Sequence, residues 1–152
     1  MSQDAELLIG STLDAGWLPQ GGRADVIRSS VAPSPASLVR LLLRRGSSVF
    51  CVPRDGSEKL DLPTQRVPPS DPDGRVAAQH LVQFVLGAPT EPKPIGFVRN
   101  VVTTAAKGYE WPTPHAHFTL WAADGSPVIP GTWVDIGTRS ELSDRHWFPL
   151  LE

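Results

Sequence analysis

The chain has 152 residues, of which 40% are hydrophobic and 20% charged, and its formal net charge is −2. This is ordinary composition for one globular domain, and the slightly acidic balance argues against a protein that binds nucleic acid polymers, which is usually basic. The single cysteine, Cys51, excludes an internal disulfide and a zinc site built from cysteines alone. No signal peptide and no apolar run of membrane-spanning length is evident, so we expect a cytoplasmic protein without a membrane partner.

The N-terminal part of the chain gives mixed signals. Residues 4–18 fit a helix with three leucines and a tryptophan on its apolar side, although two glycines weaken it. Residues 24–31 fit either a strand or a helical turn, and Pro33-Ser34-Pro35 indicates a linker. We therefore expect residues 1–36 to be an N-terminal extension that packs on a domain spanning residues 37–152.

Two apolar runs after this linker predict strands. SLVRLLLRR and SSVFCVPR flank Gly46, which indicates a hairpin, and Asp55-Gly56 indicates a second tight turn. Alternation along the first run places Leu38, Arg40 and Leu42 on one face of a strand. Arginines in and after these runs place positive charge near the end of the sheet, although hairpin arginines more often face solvent.

The stretch from Leu60 to Gly87 predicts a short strand, a proline-rich loop and a helix. Asp71-Pro72-Asp73 is typical of a helix start, because a carboxylate can accept hydrogen bonds from the free N–H groups of the first turn. Gly87 and Pro89 indicate its end. The spacing predicts an apolar face and a polar arc, formed respectively by Val76, Ala77, Leu81, Phe84 and Val85, and by Gln79, His80 and Gln83.

The remaining chain predicts three strands and a final short helix. The strands are expected over Ile95 to Thr104, His115 to Ala122 and Trp133 to Ile136, and the helix over Arg139 to Arg145. A loop before the second of these strands carries Tyr109, Glu110 and Trp111.

The stretch from Leu62 to Gly87 resembles the Nudix box of nucleoside-diphosphate-X hydrolases. That box has a Leu-Pro lead-in, a first Glu, an Arg-Glu-aliphatic group and a Glu-Glu pair at fixed spacing. Leu62-Pro63 matches the lead-in, and the remaining positions fall in order on Asp71, Gln79, His80, Leu81, Gln83 and Phe84. The order of elements and Trp133-Val134 also resemble the family. The resemblance implies an α/β (α+β) fold, a Nudix-like α/β/α sandwich with a mixed central sheet.

The same alignment implies a box that has lost most of its carboxylates. In the family these hold Mg²⁺ or Mn²⁺ against a diphosphate, and a metal-bound water is the nucleophile. Gln83 offers a neutral oxygen, His80 prefers softer metals and Phe84 offers no ligand. We therefore expect no cofactor, with Mg²⁺ or Mn²⁺ only if residual hydrolase activity exists, and predict that Mg²⁺-dependent diphosphate hydrolysis is absent or trace. The candidate catalytic residues at these positions are Asp71, His80 and Gln83, with Glu110 as a further acid or base.

Each of these residues also has a plainer interpretation. Asp71 suits a helix cap, His80 and Gln83 suit a solvated helix face, and Phe84 suits packing. Trp111 could stack on a ligand ring or cover the core, and Arg54 is a second ligand-binding candidate. His115 and His117 point to the same side of a strand and are weak metal candidates, because two ligands fall short of the usual three or four.

Three hypotheses follow. The first is a ligand-binding or regulatory protein with a degenerate Nudix box, whose ligand is a nucleotide-like or diphosphate small molecule. The second is an active enzyme of the superfamily that uses altered chemistry through Asp71, His80 or Glu110. The third is a structural module that forms a homodimer, which the resemblance allows. Fold alone does not decide between them.

Overall fold

The computed structural model describes residues 6–54, 57–137 and 139–151. Within these ranges the chain forms ten strands, one α-helix and one 3₁₀ helix. The elements are β1 (Leu7–Leu13), β2 (Arg23–Arg28), β3 (Ala36–Leu42), β4 (Arg44–Arg45), β5 (Ser48–Pro53), β6 (Leu60–Asp61), β7 (Thr64–Arg66), α1 (Arg75–Leu86), β8 (Lys93–Val101), β9 (His115–Ala122), β10 (Thr132–Asp135) and the 3₁₀ helix Phe148–Leu151. No helix within the described residues is long and apolar enough to cross a membrane.

Six strands form the main sheet in the order β1-β2-β8-β9-β3-β7. Its neighbours are antiparallel except for the parallel pair of β3 and β9. A smaller sheet has the order β10-β5-β4, and β6 pairs with β5. The predicted α+β class with a mixed central sheet is therefore confirmed.

The two faces of the main sheet bury different clusters. On one face Val39, Leu41 and Trp121 pack against α1. On the other face Val98 and Leu120 pack with the C-terminal segment, in a cluster that includes Trp147 and Leu150. Successive residues of a strand point to opposite faces, so Arg40, between Val39 and Leu41, belongs to the face opposite α1.

Helix α1 begins and ends close to the predicted positions, but its buried face is rotated. Gly87 closes it in the left-handed conformation, with φ 73°, and its N–H donates to the carbonyl of Gln83 at 2.8 Å. The buried residues are Ala77, Ala78, Leu81, Val82, Val85 and Leu86. Val76 and Phe84 are 50% and 65% exposed, so their assignment to the apolar face, and of Phe84 to packing, was wrong. At about 100° per residue, Val76 lies opposite Val85 and Phe84 lies beside the buried face.

The helix predicted over residues 4–18 is wrong where the structure describes it. Leu7–Leu13 form β1, which pairs antiparallel with β2. Glycine and β-branched residues weaken a helix there, and pairing with β2 supplies the backbone hydrogen bonds instead. The ambiguous stretch at residues 24–31 is largely β2. Residues 7–28 thus supply two strands of the main sheet, and the division at residue 36 stays a prediction.

The predicted hairpin around Gly46 forms between β4 and β5, but β3 does not take part in it. Instead β3 pairs with β9 and β7. The predicted turn at Asp55-Gly56 lies outside the described residues. The strands on either side of it pair, with Val52 opposite Asp61.

The helix predicted over Arg139 to Arg145 is also wrong. The described residues from 139 to 147 form turns and bends that lead into the 3₁₀ helix. Hydrogen bonds between residues three positions apart, typical of turns, replace the α-helical ones. One example runs from the Ser143 N–H to the Ser140 carbonyl at 3.1 Å. The Ser140 side chain donates to the Asp135 carbonyl at 2.7 Å, a local bond of the kind that competes with helix formation. Turns and a 3₁₀ helix therefore cover the sheet face opposite α1.

Candidate functional site

Asp71 lies in the loop before α1, whose N-cap residue is Gly74, and its side chain caps the first turn from outside the helix. One carboxylate oxygen accepts from the Ala77 N–H at 2.8 Å and the other from the Val76 N–H at 3.3 Å. The residue itself is buried, at 6% exposure. Asp71 thus satisfies two of the otherwise free N–H groups of the first turn, as the capping interpretation predicts.

His80 and Gln83 lie on the outward side of the same helix. Both are exposed and line an open groove of about 500 Å³ together with Gln79 and Glu91. Glu91 is paired with Arg75 at 2.9 Å. Buried Asp71 therefore does not share an open site with exposed His80 and Gln83.

The donor set of the box positions does not fit Mg²⁺. Mg²⁺ needs hard, anionic oxygens, whereas His80 offers ring nitrogens, Gln83 offers an amide oxygen and both Asp71 oxygens accept backbone hydrogen bonds. Across the described ranges, no group of three or more His, Cys, Asp and Glu residues is arranged to hold a metal ion.

His115 and His117 lie close together on β9 but differ in environment. Their ring centroids are 6.1 Å apart. His117 is only 2% exposed, and its Nε2 accepts from Arg99 Nε at 2.9 Å while Nδ1 lies 2.9 Å from the Pro35 carbonyl oxygen. Nδ1 therefore carries the proton. Burial lowers the pKa of His117, and the adjacent Arg99 lowers it further.

A larger concave region lies on the sheet face opposite α1. It consists of three adjoining cavities of about 590, 300 and 180 Å³, and Arg40 lines all three. We call this region the arginine cleft and define it by Trp17, Arg40, Arg54, Asp61, Arg66, Trp111 and His146.

Asp61 is the buried anion of the arginine cleft. Its side chain is 5% exposed, and it accepts from Arg54 at 2.8 Å, from the Leu62 N–H at 2.8 Å and from Trp147 Nε1 at 3.1 Å. Arg40 Nε lies 3.7 Å from it, beyond hydrogen-bond distance. Asp61 is thus a preformed counter-ion whose direct bonds go to groups other than Arg40.

Arg40 carries the most unusual charge of the cleft. Its Nε atom is buried and has no hydrogen-bond partner among the described residues. Burial lowers the pKa of Arg40, nearby Arg54 lowers it further and Asp61 opposes both. The guanidinium nevertheless stays charged, since arginine does not lose its proton in proteins. The result is a partly desolvated cation with unused donor capacity.

Aromatic side chains form the other end of the cleft. Trp111 meets Phe118 edge to face with centroids 5.3 Å apart, and the Arg66 guanidinium lies 4.8 Å over the Trp111 ring. Glu110 pairs with Arg66 at 2.8 Å at the exposed rim. Trp17 stacks on His146 with ring centroids 3.9 Å apart and an angle of 17°. Together with Asn100 these aromatic residues line the 180 Å³ cavity.

The structure thus separates the predicted site residues into two groups. Arg54 and Trp111 lie in the arginine cleft and Glu110 at its rim, whereas Asp71, His80 and Gln83 lie on or beside α1. Sequence reasoning missed Asp61, Trp17, Arg66 and His146. One available signal was Asp61 between two leucines in a short strand, a position where an acidic residue needs a partner.

Comparison with known proteins finds similarity only in structure. No family model matches the chain, and no curated protein matches it. A mutant of the Bacillus subtilis pyrophosphohydrolase BsRppH is similar with a TM-score of 0.47 and 15% identity, over 76% of this chain and 65% of that one. A NUDIX hydrolase from Nitrosomonas europaea is similar with a TM-score of 0.42 and 15% identity, over 68% of this chain and 73% of that one.

The structure from Nitrosomonas europaea carries the name of the family that the stretch from Leu62 to Gly87 resembles. The chain spans 65% of the length of the Bacillus protein. Likeness at this level concerns the fold, and what the Bacillus enzyme hydrolyses does not transfer to this chain.

Proposed function

We propose that the chain is a Nudix-like ligand-binding protein with a degenerate box, which binds a small anionic molecule with a flat ring in the arginine cleft. A nucleotide-like or diphosphate molecule has this chemistry. In this proposal the protein does not carry out Mg²⁺-dependent diphosphate hydrolysis. The observation that carries the proposal is the buried Arg40 Nε without a hydrogen-bond partner.

The free-energy cost of burying an unpaired donor is the reason why this atom indicates a ligand. A buried donor that has given up its water without gaining a partner costs about 1–3 kcal/mol, and more when it is charged. Asp61 offsets part of this cost through its charge, but its oxygens already accept from Arg54, Leu62 and Trp147. An anionic ligand supplies the missing acceptor, and charge-assisted bonds to guanidinium groups are among the strongest.

The charge of the cleft sets the charge of the ligand. Its cations are Arg40, Arg54, Lys59, Arg66 and Arg145, and the carboxylates beside them are Asp61, Glu110 and Asp144. Two positive charges are therefore in excess when His146 is neutral. A diphosphate diester carries two negative charges and matches this excess.

The aromatic end of the cleft fits a flat ring. Trp17, Trp111 and Phe118 line the same 180 Å³ cavity, and aromatic faces stack favourably on flat ligand rings. Buried Asn100 lines the same cavity and has an amide that can pair with a ring edge. A cationic end beside an aromatic end suits a molecule that is both phosphorylated and ring-bearing.

Calorimetry with UDP-glucose, ADP-ribose and pyrophosphate in the presence of EDTA tests the binding. We expect metal-independent binding by a ring-bearing probe, and a dissociation constant at least tenfold higher for Arg40→Met. The matched control is Arg45→Met, because Arg45 is exposed and lies over Trp133 away from the cleft. Equal losses in both variants, or binding that requires Mg²⁺, would contradict the proposal.

Hydrolysis is tested separately. With Mg²⁺ or Mn²⁺ present, we expect no release of phosphate or nucleoside monophosphate from the same probes above background. Turnover near one per second would overturn this part of the proposal and favour the enzyme hypothesis. The homodimer and the cytoplasmic location also stay predictions, and sedimentation at micromolar concentration measures the first.

A further inference from the structure

We infer that His146 contacts the ligand of the arginine cleft and takes up a proton when an anionic ligand binds. The inference rests on the proposed function. It adds a residue whose protonation is linked to binding and whose position fixes the orientation of the ligand in the cleft.

His146 lies at the boundary between two cavities of the arginine cleft. It lines both the 180 Å³ aromatic cavity and the 300 Å³ cationic cavity, and among the described residues only Arg40 shares this property. A ligand with its ring in one cavity and its anion in the other must pass both side chains. Stacking on Trp17 at 3.9 Å holds the imidazole in this boundary position.

The charges around His146 keep the free imidazole neutral. Partial burial lowers its pKa below the usual value, and Arg40 and Arg54 lower it further. Asp61 and Asp144 act in the opposite direction, and Lys59 and Arg145 are two further cations that line the same cavity. With cations in excess around it, the ring is neutral at pH 7 in the free protein.

An anionic ligand changes the balance of charges around His146. Its negative charge offsets Arg40 and Arg54, so the charged form of His146 is opposed only by burial and no longer by these two cations. Trp17 does not oppose it either, because a cation over an indole face is attracted by the ring electrons. The proton comes from solvent and goes to the imidazole, and no other covalent bond changes.

The sign of the pH dependence follows from linkage. The bound state holds more protons than the free state between the lower free pKa and the higher bound pKa of His146. Binding therefore tightens as the pH falls through that window, by about tenfold for each unit by which the ligand raises the pKa. The probe must keep a constant charge, which UDP-glucose does from about pH 5 to 8, the range in which histidine titrates.

Imidazole NMR of the whole chain tests the inference. The chain has four histidines, and the variant His146→Gln assigns one set of signals. Titrations from pH 8 to 5 are recorded with and without UDP-glucose. Exposed His80 and His115 serve as internal controls, because neither lines the cleft. We expect the pKa of His146 to rise by about one unit with the probe while those of the controls stay constant.

The affinity gives a second readout. We expect the wild-type dissociation constant for UDP-glucose to fall about fivefold to tenfold from pH 7.5 to 5.5. His146→Phe keeps an aromatic ring against Trp17 but cannot take up a proton, and we expect its affinity to be independent of pH.

The outcomes separate this inference from the proposed function. Probe-induced shifts at Trp111 without a change in the pKa of His146 would overturn the inference and leave the proposed function standing. An unaltered pH dependence in His146→Phe would also overturn it. The absence of any probe-induced shift at the cleft up to saturating millimolar concentrations would overturn both.

Discussion

The outward face of α1 and the arginine cleft are two polar regions with opposite physical character. On α1, His80 and Gln83 are exposed and fully solvated. In the cleft, Asp61 is buried and Arg40 presents a buried donor that no described residue accepts. Exposed polar groups cost nothing when unpaired, whereas a buried one costs free energy unless a partner arrives.

This difference separates the stretch that resembles the Nudix box from the proposed binding site. The stretch that resembles the Nudix box forms α1 and the loop before it, which contribute a capping carboxylate, an apolar face and an exposed polar arc. The unbalanced charge lies across the sheet, and of the five cations of the cleft only Arg66 belongs to the stretch from Leu62 to Gly87. Four changes to the chain test how far this contrast holds.

The largest effect is expected for Asp61→Asn. The substitution keeps a hydrogen-bond acceptor but leaves Arg40 and Arg54 without their counter-ion, and breaking such a buried arrangement costs about 3 kcal/mol. Urea unfolding at pH 7 measures the loss. The control is Glu110→Gln, which removes an exposed partner of Arg66 and should cost less than about 1 kcal/mol. Similar losses in the two variants would show that the buried charge of Asp61 contributes no more to stability than an exposed ion pair does.

A smaller loss is expected for Asp71→Ala. Without its carboxylate the N–H groups of Val76 and Ala77 lose their acceptors, at a cost of about 2 kcal/mol. Thermal unfolding is measured with and without about 10 mM MgCl₂, a concentration on the order of that needed to saturate a weak Mg²⁺ site. We expect Mg²⁺ to leave wild type and variant equally unaffected. Stabilisation of the wild type alone would assign Asp71 to a metal site.

Acid should weaken the fold through His117. Its pKa is lowered in the folded state, chiefly by burial, so the unfolded chain binds more protons as the pH falls below the unfolded value. The stabilisation is fully present above that unfolded pKa of about 6.5 and is lost as the pH falls toward the folded pKa. Protonation also ends the bond from Arg99 Nε, which is worth roughly 1 kcal/mol.

Urea unfolding at pH 7.5 and 5.5 measures this effect. We expect His117→Gln to flatten the dependence and His115→Gln to leave it unchanged, because His115 is exposed. Equal slopes in wild type and His117→Gln would show that other groups carry the pH dependence.

The smallest effect is expected on the outward face of α1. The triple variant His80→Glu, Gln83→Glu, Phe84→Glu introduces acidic side chains at three exposed positions that match acidic positions of the Nudix box by resemblance. We expect the free energy of unfolding to change by less than about 0.5 kcal/mol, as for surface sites, and the affinity of the cleft for UDP-glucose to stay the same. A large change in that affinity would show that the two regions form one site.

Local signals in the sequence predicted the elements that depend on nearby residues and missed those that depend on contacts between distant ones. Gly87 closes α1 and His115–Ala122 form β9 as expected, because helix ends and alternating strands depend on nearby residues. Leu7–Leu13 were misread as helix because their strand conformation depends on pairing with β2. Phe84 was misplaced because the rotation of a helix about its axis is set by packing on the sheet rather than by the apolar pattern alone.

The candidate site was harder to predict than the fold. Arg54 and Trp111 were identified as ligand-binding candidates by residue type, and both lie in the arginine cleft. Asp61 and His146 are distant in sequence and become neighbours of Arg40 only through the sheet and the C-terminal turns. No pattern within a short stretch of sequence shows that Asp61 and His146 lie beside Arg40.

The parallel pairing of β3 with β9 joins strands about 80 residues apart in the chain. At the usual speed of synthesis, roughly 5–20 residues per second, a ribosome needs about 5–20 s to pass from Arg40 to His146. Until then the partly buried Arg40 lacks the imidazole of His146, and before His115–Ala122 are made it also lacks the neighbouring strand β9. A nascent chain that has not reached His146 therefore lacks the complete arginine cleft, so a ligand of the proposed kind can act on folding only after His146 has been added.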